Sequence, residues 1–174
     1  MVCAQKILDI GVGSGVVSVT LANELSDCRI VALDISPDAI AVASRNAINL
    51  GGADKIEFRQ SDFFGNILPN ERFDLILSNP PYISEDEYRD LPPEVLADPK
   101  ISLTSGDEGL DAIKIILRDA PRFLAPGGRI IFEIGYNQAD RVAELTSHDD
   151  RYESIVIMKD LNDIDRVVML TCMS

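Results

Sequence analysis

Asp9-Ile10-Gly11-Val12-Gly13-Ser14-Gly15 is the stretch on which the reading of the fold turns. It follows an apolar run, Lys6–Ile10, and precedes a helical pattern, Val16–Leu25. A strand, a glycine-rich turn and a helix in that order mark the first unit of a doubly wound α/β fold, whose ligands bind beyond the strand ends. Glycines there let the backbone approach a ligand that any Cβ would push away.

Strands and helices keep alternating beyond this unit, as in a parallel sheet flanked by helices. Arg29–Leu33 reads as a second strand ending on Asp34. Ser36-Pro37-Asp38 then supplies an N-cap, a proline at the first helical position and an acid in the first turn. That helix runs to about Leu50, where Gly51-Gly52 closes it. Ile56–Arg59 and Phe73–Leu77 are the third and fourth strands. Ile113, Ile116, Leu117 and Ala120 share one helical face, so Leu110–Phe123 is expected as an amphipathic helix. Pro126-Gly127-Gly128 turns into a fifth strand, Arg129–Ile134, and a helix around Gln138–Thr146 follows.

Two strands remain, Ser154–Met158 and Arg166–Leu170. Lys159–Asp165 between them is too short for a crossover helix, so they must pair antiparallel. The expected fold is α/β: a doubly wound, seven-stranded, mostly parallel sheet with a terminal antiparallel hairpin, forming one domain over residues 1–174. Ile83–Gly109, rich in Pro, Asp and Glu, stands apart as a long loop of the kind that serves as a lid.

Composition narrows the function classes. The 174 residues carry 29 acidic and 16 basic side chains, a net charge of −13 with the one histidine neutral. That balance argues against gripping a phosphate backbone or an anionic membrane surface, since both run on clustered Lys and Arg. No stretch approaches about 18 uninterrupted apolar residues, so no membrane-crossing helix is expected. Met1–Lys6 lacks the basic-then-apolar shape of a secretory signal. Cys3, Cys28 and Cys172 are odd in number, far apart and without Cys-x-x-Cys spacing. They read as reduced, buried thiols of a cytoplasmic protein, with neither a metal nor a disulfide.

The spacing in the first turn selects the ligand. A dinucleotide fingerprint would read Gly-x-Gly-x-x-Gly, but here the third glycine comes one residue early and position 16 is Val. No Gly-Lys-Ser/Thr follows, which excludes a Walker loop. Gly-x-Gly-x-Gly after an acid suits a nucleoside ligand with no pyrophosphate to place, such as S-adenosylmethionine. Asp34, at the end of the second strand, is placed to accept from both ribose hydroxyls. Asp62 after the third strand can accept from an adenine amine, and Phe63 offers a ring face and a backbone N–H. The expected cofactor-binding residues are Asp9, Gly11, Val12, Gly13, Ser14 and Gly15 in the turn. Asp34, Ile35, Asp62, Phe63 and Asn79 complete that set.

Ser78-Asn79-Pro80-Pro81-Tyr82 closes the fourth strand across from the glycine turn. Two consecutive prolines fix φ and remove two N–H donors, so the turn presents carbonyls that no local donor claims. Asn79 adds a side-chain carbonyl and Tyr82 a ring. This is a receptor for a planar –NH₂ group, with one proton on Asn79 Oδ1, the other on the Pro80 carbonyl and the ring packed on the plane. Asn79, Pro80 and Tyr82 are the expected catalytic residues, and Asn79 to Tyr82, Pro81 included, the expected substrate site. A sulfonium methyl donor is already activated, so no metal is expected.

Together, Asp9–Gly15, Asp34, Asp62-Phe63 and Asn79–Tyr82 resemble the class I S-adenosylmethionine-dependent methyltransferases that act on amino groups. Leu103–Leu110, Phe132–Gln138 and Lys159–Val168 are similar to segments of the protein glutamine-N5 methyltransferases. The resemblance implies a Rossmann-like methyltransferase fold. It also implies methyl transfer to the glutamine of the Gly-Gly-Gln motif of a peptide-chain release factor. Asn-Pro-Pro-Tyr alone is shared with adenine-N6 and guanine-N2 enzymes, so a nucleic-acid acceptor or another protein glutamine, such as one on a ribosomal protein, is the alternative. A non-catalytic S-adenosylmethionine-binding subunit is a further alternative, and the intact amide receptor argues against it. Bacterial family members carry a front helical domain and a Pro-Arg-Pro-Glu-Thr-Glu-like segment before the glycine turn. Neither occurs in this sequence, so the resemblance implies a catalytic domain without its substrate-docking domain.

Three weaker signals remain. His148 sits in a polar Ser-His-Asp-Asp turn with no expected role. Glu133 and Gln138 near the fifth strand read as structural caps or substrate contacts. Ser84–Asp111 holds nine acidic and two basic residues, a net of −7, which would attract a basic protein surface.

Overall fold

Seven strands order the molecule as β3-β2-β1-β4-β5-β7-β6 in the computed structural model, which describes residues 5–173. They are β1 (Gln5–Ile10), β2 (Cys28–Asp34), β3 (Ile56–Gln60), β4 (Phe73–Ser78), β5 (Leu124–Glu133), β6 (Tyr152–Lys159) and β7 (Asp165–Cys172). The first five run parallel. β7 pairs antiparallel with both β5 and β6, as the short connection requires. The direction of assembly reverses at β1, which lies between β2 and β4. In open α/β sheets, that switch point is where a crevice opens.

Helix α1 (Val16–Glu24) starts directly on Gly15, and α2 (Pro37–Leu50) starts where the sequence says it should. The Ser36 hydroxyl accepts from the Ala39 N–H at 3.2 Å and Gly51 closes the far end. These two helices cover one face of the sheet over Ile7, Ile30, Ala32 and Ile56. The other face packs Leu8, Leu33, Ile76, Ile130 and Phe132 against Ile113 and Ile116 of α5 (Asp111–Asp119) and Val142 of α6 (Ala139–Ser147). Burial of that apolar surface at about 25 cal/mol per Å² is the main force holding helices to sheet.

Three expectations need correction. Residues 83–109 are not one structureless loop: they contain α3 (Glu85–Arg89) and α4 (Lys100–Leu103), with a parallel bridge between Ile83 and Thr104. A capping box starts α3, with Ser84 and Glu87 each holding the other's backbone N–H. The helix expected to reach Phe123 ends its α-helical part at Asp119 and continues as a 3₁₀ turn over Ala120–Phe123. Pro121 is the reason, since it has no N–H for the helical ladder. β5 begins at Leu124 rather than Arg129, and Pro126-Gly127-Gly128 lies within it where the register against β4 shifts.

Cys28 and Cys172 are buried free thiols, and burial pushes Cys172 up to about 11. Cys3 lies outside the described residues. Among the described residues, no helix is long and apolar enough to cross a membrane.

Candidate active site

Register brings the two sequence motifs together. Ile10 of β1 pairs with Ser78 of β4, so the glycine turn and the Asn-Pro-Pro-Tyr corner leave the sheet side by side. The buried Ser78 hydroxyl donates to the Ile10 carbonyl at 2.9 Å and locks that adjacency. A cleft of about 520 Å³ opens above them.

Its first wall is the turn. Gly11 and Val12 donate their N–H groups to the Leu33 carbonyl at 2.9 and 2.8 Å, anchoring the turn to β2. Gly13 stands at φ +55, and a Cβ there would meet nothing within 4 Å, so the turn presents bare backbone to open space. Asp34 accepts from the Gly13 N–H and the Ser36 N–H, both at 2.9 Å. One carboxylate thus ties the turn to the start of α2. It lines the cleft with lone pairs to spare, since a carboxylate offers about four acceptor sites.

Asp9 also lines the cleft but is only 3% exposed. Burial raises its carboxyl to about 6, against the opposing effect of a 2.6 Å hydrogen bond donated by Ser18 Oγ.

Gly15 packs two helices together. It is absent from the cleft wall, and at φ +86 a Cβ would lie 3.1 Å from the Ala43 Cβ and 3.2 Å from its Cα. The third glycine of the pattern is therefore an α1–α2 packing glycine.

The second wall follows β3. Ser61 Oγ donates to the Phe63 carbonyl at 2.8 Å and accepts from the Asn66 N–H at 3.0 Å. Those bonds hold Phe63 at φ +43, a left-handed conformation that costs a bulky residue about 1–3 kcal/mol. Asp62 is exposed beside it, and both line the cleft, as does Ile35 after β2.

Across from these stands the corner. Asn79 is exposed, and among the described residues neither its side chain nor the Pro80 carbonyl is taken up by a hydrogen bond. Tyr82 departs from expectation, because it does not line the cleft. Its hydroxyl donates to Glu133 Oε1 at 3.0 Å, and the Arg166 guanidinium lies 6.0 Å from its ring centroid. Burial, then the Glu133 carboxylate, raises the Tyr82 pKa. Gln138 proves to be structural, with its amide bonded to the backbones of Tyr82, Gly109 and Gly135.

The strap over residues 83–109 closes the remaining side with Ile101, Ser102, Thr104 and Ser105, and the start of α5 adds Ala112 and Ile115. The Ser105 hydroxyl accepts from the Ala112 N–H at 2.7 Å. Sequence reasoning missed this wall, although Ser84-x-x-Glu87 was a readable sign of order there. His148 is exposed at the end of α6, away from the cleft. Among the described residues, no group of three or more His, Cys, Asp or Glu could hold a metal ion.

Residues 3–169 match a family described as a methyltransferase domain. The chain is 45% identical over 163 residues to a release factor glutamine methyltransferase of Cereibacter sphaeroides, covering 93% of this chain and 58% of that protein. It is 42% identical over 168 residues to a bifunctional methyltransferase of Rickettsia felis, covering 95% of this chain and 31% of the other. The chain therefore spans only part of the length of these relatives. Among solved structures, a methyltransferase from Pyrococcus furiosus superposes with a TM-score of 0.71 at 19% identity, over 99% of this chain and 77% of that one. TrmN from Thermus thermophilus does so at 0.68 and 20%, over 98% and 45%. At such identities, the likeness is one of fold.

Proposed function

The chain belongs to the methyltransferase-domain family, and from that premise we propose that it methylates the side-chain amide nitrogen of a glutamine in a protein, with S-adenosylmethionine as donor. The acceptor we infer is the Gly-Gly-Gln motif of a peptide-chain release factor. Relatives at 37–45% identity named release factor glutamine methyltransferase support a release factor glutamine as acceptor. A cytoplasmic location goes with that proposed acceptor.

The donor fits the cleft. Gly13 leaves open space where a side chain would stand, Asp34 keeps acceptor sites for a ribose, and Asp62 and Phe63 flank room for a base. The volume lies within the range of about 300–1,000 Å³ usual for small-molecule sites. When bound, S-adenosylmethionine supplies a methyl group on a positive sulfonium, already activated for displacement.

The residues of the chain address the acceptor. An amide nitrogen is a poor nucleophile because its lone pair is delocalised. Asn79 Oδ1 and the Pro80 carbonyl each accept one of its two protons, drawing electron density onto nitrogen and aiming it at the donor. Pro81 keeps the corner rigid, and the strap and α5 wall the cleft beside it. The nitrogen–methyl bond forms as the sulfur–methyl bond breaks, and the surplus amide proton leaves to solvent. Placing reacting atoms about 3–3.5 Å apart accounts for much of the expected acceleration. Tyr82, held by Glu133 and Arg166, braces the corner from behind.

The single observation that carries this reading is the pair of unclaimed acceptors, Asn79 Oδ1 and the Pro80 carbonyl, in the cleft that Gly13, Asp34, Asp62 and Phe63 also line. Radiolabelled methyl transfer from S-adenosylmethionine tests it with release factor, a Gly-Gly-Gln peptide, DNA and RNA as acceptors. Label on the release factor is the expected result. Label on nucleic acid alone would overturn it.

A further inference from the structure

Behind the acceptor corner, one buried side chain joins three separate segments. Gln138, 5% exposed, donates from Nε2 to the Tyr82 carbonyl at 2.9 Å and to the Gly109 carbonyl at 3.1 Å. Its Oε1 accepts from the Gly135 N–H at 2.8 Å. Both of its amide protons and its oxygen are therefore committed. Tyr82 ends the corner, Gly109 ends the strap, and Gly135 follows the exit of β5.

The corner needs such an anchor. Pro80 and Pro81 have no N–H, so backbone donors cannot fix this turn as they fix ordinary ones. The Tyr82 carbonyl is a point at which it is held. Gly109 packs against that same point: at φ +69, a Cβ there would collide with the Tyr82 carbonyl oxygen and lie 2.9 Å from Gln138 Nε2.

We propose that Gln138 is a positioning residue for methyl transfer, locking the Tyr82 backbone so that Asn79 Oδ1 and the Pro80 carbonyl stay aimed at the acceptor amide. The lock closes fully only with the end of the strap seated at Gly109. The inference rests on the reading of Asn79–Tyr82 as an amide receptor. Gln138 itself touches neither donor nor acceptor, and it does not line the cleft.

Two variants bear on it. Gln138→Glu keeps an acceptor for the Gly135 N–H but turns a carboxylate oxygen against two carbonyls. Gly109→Ala pushes on the same Tyr82 carbonyl. Each is compared with the wild type and Asn79→Ala in labelled transfer to release factor, with S-adenosylmethionine affinity measured by calorimetry. Both should lower kcat about 10- to 100-fold, as displacements of an ångström do in active sites. Affinity for S-adenosylmethionine should stay within about threefold, since the loss is not one of uniform binding. The double variant should be little worse than the poorer single, because both act on one contact. For Gln138→Glu, activity relative to wild type should recover as pH falls, because the protonated carboxyl can again donate.

Unchanged kcat in Gln138→Glu beside an inactive Asn79→Ala would overturn this inference alone. Parallel loss of kcat and S-adenosylmethionine affinity would also overturn it, since that marks general structural damage. Wild-type rates in Asn79→Ala would instead sink the amide-receptor reading.

Discussion

Ser18 Oγ of α1 donates a 2.6 Å hydrogen bond to the carboxyl of Asp9, and the two form a buried polar pair at the carboxyl end of β1. The bond only partly offsets the cost of burying that carboxyl, which titrates near 6 rather than near its ordinary 3.8.

The direction of the pH dependence follows. A carboxyl with a raised folded-state pKa favours the folded state below about 4, and that contribution is lost as pH rises through about 6. Asp9→Asn keeps an acceptor for Ser18 and removes the titration. Urea unfolding of this variant should therefore show a flatter stability profile between pH 4 and 6. At pH 7 the gain over wild type should reach up to about 2–3 kcal/mol. An unchanged slope would show that Asp9 does not titrate there.

Asn79→Ala removes one of the two acceptors offered to the amide. Loss of a preorganised hydrogen bond to the reacting group should lower kcat about a hundredfold or more. Asn79 is exposed at the rim, so the thermal midpoint should hardly move. Initial-rate kinetics with release factor, beside a thermal melt, would check both halves of this expectation.

Asp34→Ala strips two backbone N–H groups of their acceptor and the ribose of its own. Hydrogen bonds to a charged group contribute about 1.5–3 kcal/mol each, so affinity for S-adenosylmethionine should fall at least tenfold. The rate at saturating donor should change much less, which calorimetry and donor-dependent kinetics would separate.

Gly13 and Gly15 should respond differently to alanine. Both have positive φ, which costs a non-glycine residue about 1–2 kcal/mol. At Gly13 the added methyl enters open cleft space, so the further penalty should fall on donor binding. At Gly15 it meets Ala43 and α2 must shift, so the further penalty should fall on folding. Denaturant midpoints and donor affinities measured on both variants would decide it.

How much of this was legible in the sequence depended on how local each signal is. Ser36-Pro37-Asp38 marks the start of α2 by chemistry confined to three residues, and the helix starts there. The short Lys159–Asp165 link forces an antiparallel pair on length alone. The strap helices escaped because five and four residues are too few to show a period. The same limit hid the cleft wall made by Thr104, Ser105 and Ala112, which depends on the Ile83–Thr104 bridge folding the strap back. The packing partners of Gly15 and Tyr82 stayed hidden for a different reason. A motif says that a residue type is needed, but whether a ligand or Ala43, or a substrate or Glu133, needs it is a tertiary fact.

β7, the last strand in the chain, lies inside the sheet between β5 and β6. Its Val168, Leu170 and Cys172 are buried in the core, while among the described strands β6 pairs with it alone. During synthesis, β5 and β6 therefore emerge before the strand that joins them, and their open edges stay exposed until residues 165–172 follow. Each of β2 to β5 meets a partner already made, but β6 must wait for β7. A polypeptide interrupted before residue 165 would strand β6 and bare one side of Ile130 and Phe132, making it a substrate for proteolysis rather than a partly working enzyme.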